Sequence, residues 1–252
     1  MKRILTAAIA LPLLVVITIY SHWLFVIVVS LFAAAAADEF LTLGEKKGIG
    51  RPGRWFLIMP ALVVVSFLQT PEWVVASLVA GAVVLMTVTT FGGKIDTGFG
   101  RVLTGLSCLV YCSLTLGFVI LISPPWILVL LAIVWVGDAA AYYGGRALGR
   151  HLLAPKISPK KTVEGAFAGI AGSVIAGVIG GAWVLGKPWM IMVLISVVTA
   201  AAGQVGDLSE SALKRSTGVK DSSSILPGHG GILDRLDSLF FAALIFYWLL
   251  KA

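Results

Sequence analysis

Residues 203–238 read GQVGDLSESALKRSTGVKDSSSILPGHGGILDRLDS and stand between two long apolar runs. This stretch holds five of the twelve Asp and Glu residues, four of the nineteen Lys and Arg residues and one of the three His. The whole chain is 59% hydrophobic and 12% charged, whereas ordinary globular proteins have roughly 45–50% and 25%. Because the apolar excess requires lipid as its solvent, so dense a charged segment indicates a polar site bordered by membrane helices.

Apolar runs close to the roughly 20 residues that a helix needs to cross a bilayer recur along the chain. We count nine such runs, at 4–20, 23–38, 55–70, 73–91, 102–122, 126–143, 164–185, 189–206 and 232–250. The sequence therefore predicts an all-α integral membrane protein. Its fold is expected to be a polytopic bundle of about nine transmembrane helices with a polar cavity on the cytoplasmic side.

The basic residues indicate how this bundle is oriented. With the N-terminus inside, every Lys and Arg except Lys187 and Lys251 falls in an inner segment. Cytoplasmic loops collect Lys and Arg, so we expect a multi-pass protein of the cytoplasmic (inner) membrane whose site faces the cytoplasm. The first run, after Lys2 and Arg3, also fits a cleaved secretory signal, and charge does not separate the two possibilities. The net charge of +7 favours anionic headgroups and solutes, and we expect no nucleic-acid partner.

Two features of the middle spans indicate packing and carry no chemistry. Cys108 and Cys112 lie four residues apart inside the fifth span, where cysteines behave as small apolar residues more often than as a bridge or a metal pair. Gly165 and Gly169 share one face of the seventh span, which permits close backbone contact between helices. That contact could form within one chain or across a dimer.

The sixth span introduces a carboxylate. Asp138 lies in an otherwise apolar helix, where a charged group is costly and usually faces a polar cavity or a partner. We therefore place it in the site, with a buried structural ion pair as the alternative. In the next segment Pro155 and Pro159 exclude a continuous helix. Basic and hydroxyl side chains gather there, namely Lys156, Ser158, Lys160, Lys161 and Thr162.

Carboxylates also stand at the inner ends of the last two spans. Asp207 is followed at i+4 and i+7 by Ser211 and Lys214, which a continuing helix places on the same face. Asp234 and Asp237 are three residues apart and share a face in the same way. Because both helix ends are cytoplasmic, Asp207 and Asp234 can converge. Converging carboxylates repel each other, and the usual reasons to tolerate this are a bound hard cation or a raised pKa.

The loop between these helices is suited to phosphate. The glycines of its segment PGHGG at 227–231 would let backbone N–H groups approach an anion, and the following helix start adds its positive dipole end. Lys214, Arg215 and Lys220 can neutralise phosphate charge, and Mg²⁺ favours one or two carboxylates together with substrate phosphates. The combination indicates phosphoryl chemistry on a polyphosphate at the membrane surface. A solvated loop with ion pairs such as Glu210 to Lys214 is the alternative.

These residues together resemble the signature of phosphatidate cytidylyltransferases, also called CDP-diacylglycerol synthases. The matching segments are SALKR at 211–215, KD at 220–221, LPGHGG at 226–231 and DRLD at 234–237. Upstream the resemblance includes GQVGDL at 203–208, SPKKTVEG at 158–165 and the D-x-x-x-Y-x-x-G pattern at 138–145. One departure is Val163, where the family usually has Trp. This substitution puts local packing or lipid contact in doubt and leaves the charged residues intact.

The resemblance implies that CTP and phosphatidic acid react to give CDP-diacylglycerol and pyrophosphate in phospholipid biosynthesis. It implies Mg²⁺, a second cation such as K⁺, and a homodimer in the lipid bilayer. The implied metal ligands are Asp207, Asp234 and Asp237, and the implied catalytic residues are Asp207, Asp234, Lys214 and Asp221. The implied substrate-binding residues are Asp138, Ser158, Lys160, Lys161, Ser211, Arg215, Lys220, His229, Gly230, Gly231 and Arg235.

We expect a single membrane domain over 1–252, in which 1–125 is mainly scaffold and 126–252 carries the catalytic spans and loops. Two other functions fit parts of the pattern. One is a cytidylyltransferase for an isoprenoid ether lipid phosphate, or a related polyprenol kinase, with nearly the same headgroup site. The other, of a different class, is an ion-coupled membrane transporter with an acidic ion path. Against a transporter, the halves show no convincing repeat and the charge lies at the helix ends.

Overall fold

The computed structural model describes residues 15–92, 95–223, 225 and 230–252. These residues form long helices and one short β-hairpin. The helices are α1 (His22–Lys46), α2 (Ile58–Ser66), α3 (Pro71–Gly92), α4 (Ile95–Cys108), α5 (Pro124–Leu148), α6 (Val163–Gly177), α7 (Trp189–Ser216) and α8 (Leu233–Lys251). Residues 15–20 are also helical. The prediction of an all-α protein is confirmed.

Several helices extend through irregular turns. A 3₁₀ turn at Arg54–Leu57 leads into α2. The helix α4 continues through a π-helical segment at Leu109–Leu114 and ends in a 3₁₀ turn at Phe118–Leu121. The helix α6 likewise continues as a π-helical segment at Val178–Val184. With these extensions, both helices reach the length needed to cross a bilayer.

Six of the described helices are long and apolar enough to span a membrane. They are His22–Lys46, Pro71–Gly92, Asp96–Leu121, Pro124–Leu148, Val163–Val184 and Trp189–Ser216. The predicted span 55–70 corresponds to a shorter apolar helix, Arg54–Ser66, and 232–250 corresponds to α8, whose first turns are charged. The predicted first span, 4–20, lies mostly outside the described residues. The polytopic membrane class is therefore confirmed.

A β-hairpin occupies the segment that the two prolines removed from the helices. Its strands, β1 (Leu152–Ala154) and β2 (Ser158–Thr162), are antiparallel, with Leu152 opposite Thr162. The sequence predicted the break in the helix but not the strand pairing. Thr162 then caps α6, because its hydroxyl accepts a 3.1 Å hydrogen bond from Gly165 N. The hairpin thus fixes the basic residues of β2 directly before a helix start.

The chain divides into two compact units. The first unit comprises Met1–Leu121 and Ser216–Leu236, and the second comprises Ile122–Arg215 and Asp237–Ala252. In the second unit α5 and α6 pack closely at glycines. A Cβ added at Gly165 would lie 2.8 Å from Ala141 O, and one at Gly169 would lie 2.9 Å from Ala141 Cβ. The predicted packing role of Gly165 and Gly169 is confirmed within one chain.

Candidate functional site

A cavity of about 490 Å³ lies within the second unit. Helices α5, α6 and α7 and the hairpin all contribute to its wall. Its charged and polar lining includes Asp138 from α5, Lys160 and Lys161 from β2, and Gln204 and Asp207 from α7. The structure therefore brings together three segments that lie far apart in the sequence. The cavity wall that they form carries both positive and negative side chains.

Lys161 and Asp207 form an ion pair on the wall of this cavity. The Lys161 Nζ contacts Asp207 Oδ2, and Ser211 Oγ donates a long, 3.4 Å hydrogen bond to Asp207 Oδ1. The two charged side chains are 29% and 27% exposed. An ion pair that keeps contact with water contributes little stability. A charged ligand can therefore replace Asp207 as the partner of Lys161, or Lys161 as the partner of Asp207.

A further carboxylate, that of Asp237, lies in electrostatic range of Asp207. Asp237, on α8, interacts with the Asp207 and Asp138 carboxylates and with the Lys214 ammonium. The backbones of α7 and α8 approach closely here, since a Cβ added at Gly206 would lie only 2.5 Å from Asp237 O. A glycine immediately before Asp207 thus allows carboxylates from different helices to converge.

The basic residues at the end of α7 have partners of their own. The Lys214 Nζ pairs with Glu210, whose side chain is fully buried, while that of Lys214 is 11% exposed. Arg215 Nε donates a 3.1 Å hydrogen bond to Ile157 O in the hairpin turn. The Glu210 to Lys214 pair considered from sequence is therefore present, but it is buried and not solvated. The phosphate-binding roles of Lys214 and Arg215 stay predictions.

The acidic residues of the second unit suit a hard cation. The described part of the chain holds no group of three or more His, Cys, Asp and Glu side chains placed to bind a metal ion. Mg²⁺, however, usually takes one or two carboxylates and completes its shell with substrate phosphates and water. Asp207 and Asp237 supply oxygen donors whose mutual repulsion a cation would relieve. These two residues therefore fit the predicted Mg²⁺.

A second polar cluster, within the first unit, is built on Glu39 of α1. The Glu39 side chain is only 2% exposed. Its Oε2 accepts hydrogen bonds from Ser222 Oγ at 2.7 Å and Leu233 N at 2.8 Å. Its Oε1 accepts from Ser223 Oγ at 2.6 Å and Ile232 N at 3.0 Å. The loop between α7 and α8, residues 217–232, carries part of the family signature and is called the signature loop below. A helix predicted to be scaffold therefore holds this loop at 222–223 and again at its junction with α8.

Asp234 closes the same loop from the other side. It accepts hydrogen bonds from Gly231 N at 2.7 Å and from Ser222 N at 3.1 Å. Gly230 has a φ of 78°, and a Cβ added at Gly231 would lie 2.1 Å from Glu39 Oε2. Gly230 and Gly231 thus allow the loop to pack directly against the carboxylates of Glu39 and Asp234. The roles of Asp234 as a metal ligand and of Gly230 and Gly231 as phosphate binders stay predictions.

The remaining predicted residues are spread over both units. Lys160 is exposed and Ser158 half-buried on β2, whereas Lys220, Asp221 and Arg235 are exposed in the first unit. His229 lies outside the described residues. The exposed residues are reachable by a ligand, which their proposed contacts with phosphate require.

Sequence reasoning missed Glu39, although a signal for it was present. Asp38 and Glu39 end the alanine-rich run AAAAADEF, and two adjacent carboxylates at the end of a membrane helix usually have partners. Asp38 pairs with Arg51, and Arg51 also donates a 2.8 Å hydrogen bond to Thr42 Oγ1. Asp38 is thus bonded to the loop that follows α1, whereas Glu39 reaches the signature loop.

The similarity to known proteins covers the entire chain. A sequence model described as the cytidylyltransferase family matches residues 1–252. A Staphylococcus epidermidis protein named phosphatidate cytidylyltransferase is 34% identical over 247 residues, which cover 95% of this chain and 94% of that protein. A Bacillus subtilis protein of the same name is 34% identical and covers 99% and 97%. One from Synechocystis sp. is 30% identical and covers 98% and 95%.

Proposed function

The chain belongs to the cytidylyltransferase family, and we propose that it transfers the cytidylyl group of CTP to phosphatidic acid. The products are CDP-diacylglycerol and pyrophosphate. The observation that carries the proposal is the similarity over nearly the whole chain to relatives named phosphatidate cytidylyltransferase. The mixed-charge cavity around Lys161 and Asp207 supports it, because both substrates are anionic.

The reaction needs charge stabilisation more than it needs a base. A phosphate monoester has a second pKa near 6, so the phosphatidate phosphate is already largely a dianion at neutral pH. One of its oxygens forms a bond to the α-phosphorus of CTP, and the bond from that phosphorus to the bridging β-oxygen breaks. The pyrophosphate takes the electron pair and leaves. The barrier is the approach of two anions, which positive charge lowers.

The cavity supplies such charge from β2. Lys160 is exposed at the cavity wall, and Lys161 is held there by Asp207. A substrate phosphate can replace the carboxylate as the partner of Lys161, since an ion pair whose side chains are 29% and 27% exposed contributes little stability. Asp138, on α5, forms a negative part of the wall. We assign the two lysines to substrate phosphates and Asp138 to orientation within the cavity.

Asp207 and Asp237 of the second unit would hold Mg²⁺, and a metal-ligand role for Asp234 rests on the family resemblance alone. When bound, the ion would supply neutralisation and alignment of the phosphate groups. A second cation such as K⁺ is part of the same proposal. Its support is the family resemblance.

We place the reaction at the cytoplasmic face of the inner membrane. The support is the predicted topology, which puts every Lys and Arg except Lys187 and Lys251 on one side. CTP would then enter from the cytoplasm and phosphatidic acid from the inner leaflet. The functional unit is proposed to be a homodimer, as the family resemblance implies.

Product analysis tests this function directly. Purified protein is incubated with CTP labelled in its cytidine and with either phosphatidic acid or an isoprenoid ether lipid phosphate. We expect the label to enter the lipid fraction with phosphatidic acid, in equal amount to the pyrophosphate released. Preference for the isoprenoid lipid would reassign the substrate. Label that stays in the aqueous phase with both lipids would refute the cytidylyltransferase function.

A further inference from the structure

Glu39 lies outside the cavity and outside the signature, yet it makes four hydrogen bonds to the signature loop. We propose that Glu39 is a positioning residue for the reaction, acting through the two loop ends at 222–223 and 231–233. This inference rests on the proposed function. It assigns a role in turnover to α1, whose sequence otherwise reads as a membrane span.

The burial of Glu39 makes its partners necessary. An ionised carboxylate removed from water costs several kcal/mol unless hydrogen bonds replace its hydration. Here each oxygen accepts two hydrogen bonds, one from a serine hydroxyl and one from a backbone N–H. Hydrogen bonds to a charged acceptor are roughly twice as strong as neutral ones. The arrangement therefore fixes both loop ends at one point.

The geometry of the loop couples Glu39 to Asp234. Ser222 donates its hydroxyl to Glu39 and its backbone N–H to Asp234. Leu233, whose N–H bonds to Glu39, directly precedes Asp234. Gly231 packs between the two acids so tightly that an added Cβ would lie 2.0 Å from Ser222 Oγ. Loss of the Glu39 carboxylate therefore changes the position of Asp234 as well as that of the loop ends.

The residues nearest these anchors are the ones proposed to act on substrate. Lys220 and Asp221 precede Ser222, and Asp234 follows Leu233. A displacement of about 1 Å at such groups can lower the rate about 100-fold. A residue needed for folding alone would instead lower the yield or melting temperature and leave the turnover of the folded protein unchanged. The two roles therefore give different kinetic results.

The main test is Glu39→Gln, which keeps the size of the side chain but removes its charge. The amide NH₂ then replaces one carboxylate oxygen and faces a serine hydroxyl and a backbone N–H that need an acceptor. The matched control is Glu45→Gln, on the same helix, where the carboxylate is 62% exposed and lies 3.6 Å from Arg51. We expect Glu39→Gln to lower kcat about 100-fold and to leave the KM for phosphatidic acid within about twofold. The control should retain wild-type kcat. Wild-type kcat in folded Glu39→Gln protein would overturn the proposal.

A second measurement does not depend on activity. Hydrogen exchange followed by mass spectrometry, without substrates, reports the peptide containing Ile232 and Leu233. In Glu39→Gln these amides should exchange faster than in wild type and in Glu45→Gln. Unchanged exchange would overturn the proposal even if the wild-type protein proved inactive on phosphatidic acid. Inactivity of the wild type alone would refute the proposed function and not the anchoring.

Two milder substitutions test the same proposal if Glu39→Gln does not fold. Ser222→Ala and Ser223→Ala each remove one hydroxyl from Glu39. We expect both to lower kcat, and Ser222→Ala to lower it more, because a shift of Ser222 also moves the backbone N–H that it donates to Asp234. Partners in one network give non-additive effects, so the double serine variant should lose less than the product of the single losses. Wild-type kcat in both single variants would overturn the proposal.

Discussion

Replacing Asp207 by Asn separates its structural from its catalytic contribution. The change keeps the shape of the side chain and removes its charge. In the structure this ends an ion pair with Lys161 and weakens a 3.4 Å hydrogen bond from Ser211. It also removes one of the carboxylates that interact with Asp237. The first two losses destabilise the fold, whereas the third reduces repulsion.

The expected magnitudes differ widely. An ion pair whose members are 29% and 27% exposed contributes less than about 1 kcal/mol to stability, so the unfolding free energy should change little. A metal ion contributes several kcal/mol to stabilising charge in a transition state, and about 4 kcal/mol corresponds to about 1,000-fold in rate. We therefore expect Asp207→Asn to lower turnover by about three orders of magnitude in protein that remains folded.

The assay is pyrophosphate release at saturating CTP and phosphatidic acid, with melting in detergent measured on the same samples. Ser209→Ala is the matched control, because Ser209 lies on the same helix and bonds only to Val205 O at 2.7 Å among the described contacts. It should behave as wild type. Turnover of Asp207→Asn within about twofold of wild type would refute the metal-ligand role. A large fall in melting temperature with normal turnover would make Asp207 a structural residue.

Three further predictions concern other parts of the chain. Asp234→Asn should lower turnover by orders of magnitude in folded protein, and near-normal kcat would exclude Asp234 as a ligand. Lys160→Ala should mainly raise the apparent KM for a substrate, since an exposed ammonium at the cavity wall binds phosphate. Unchanged kinetics would leave Lys160 with a role in membrane topology alone. Gly165→Ala should lower the melting temperature, because its Cβ would lie 2.8 Å from Ala141 O, whereas Gly203→Ala, with its nearest atom at 3.5 Å, should not.

The spans and the signature were accessible to sequence reasoning for physical reasons. Bilayer thickness imposes a minimum length on every apolar run, so six of the nine predicted spans correspond to described helices long enough to cross a bilayer, and 55–70 corresponds to a shorter one. The spacing of Asp207 and Ser211 places both on one helix face, and the structure joins them by a hydrogen bond. The spacing of Gly165 and Gly169 indicated close helix contact in the same way. Each of these features depends on local periodicity.

Features that depend on long-range pairing could not be predicted. Lys161 and Asp207 are 46 positions apart, and no local pattern indicates that these two charged residues pair with each other. The strands β1 and β2 are too short to show alternation, so the prolines excluded a helix without indicating a hairpin. Glu39 meets partners more than 180 positions away. Only the cost of burying its charge could have indicated in advance that such partners exist.

The most direct test of the proposed function is pyrophosphate release by the purified protein under omission of one component at a time. CTP, phosphatidic acid and Mg²⁺ are supplied together, and each is then left out in turn. We expect pyrophosphate in the complete mixture and background in every omission, with activity restored when Mg²⁺ is returned after chelation. Pyrophosphate released at the full rate without phosphatidic acid, or with Mg²⁺ chelated, would contradict the proposed function.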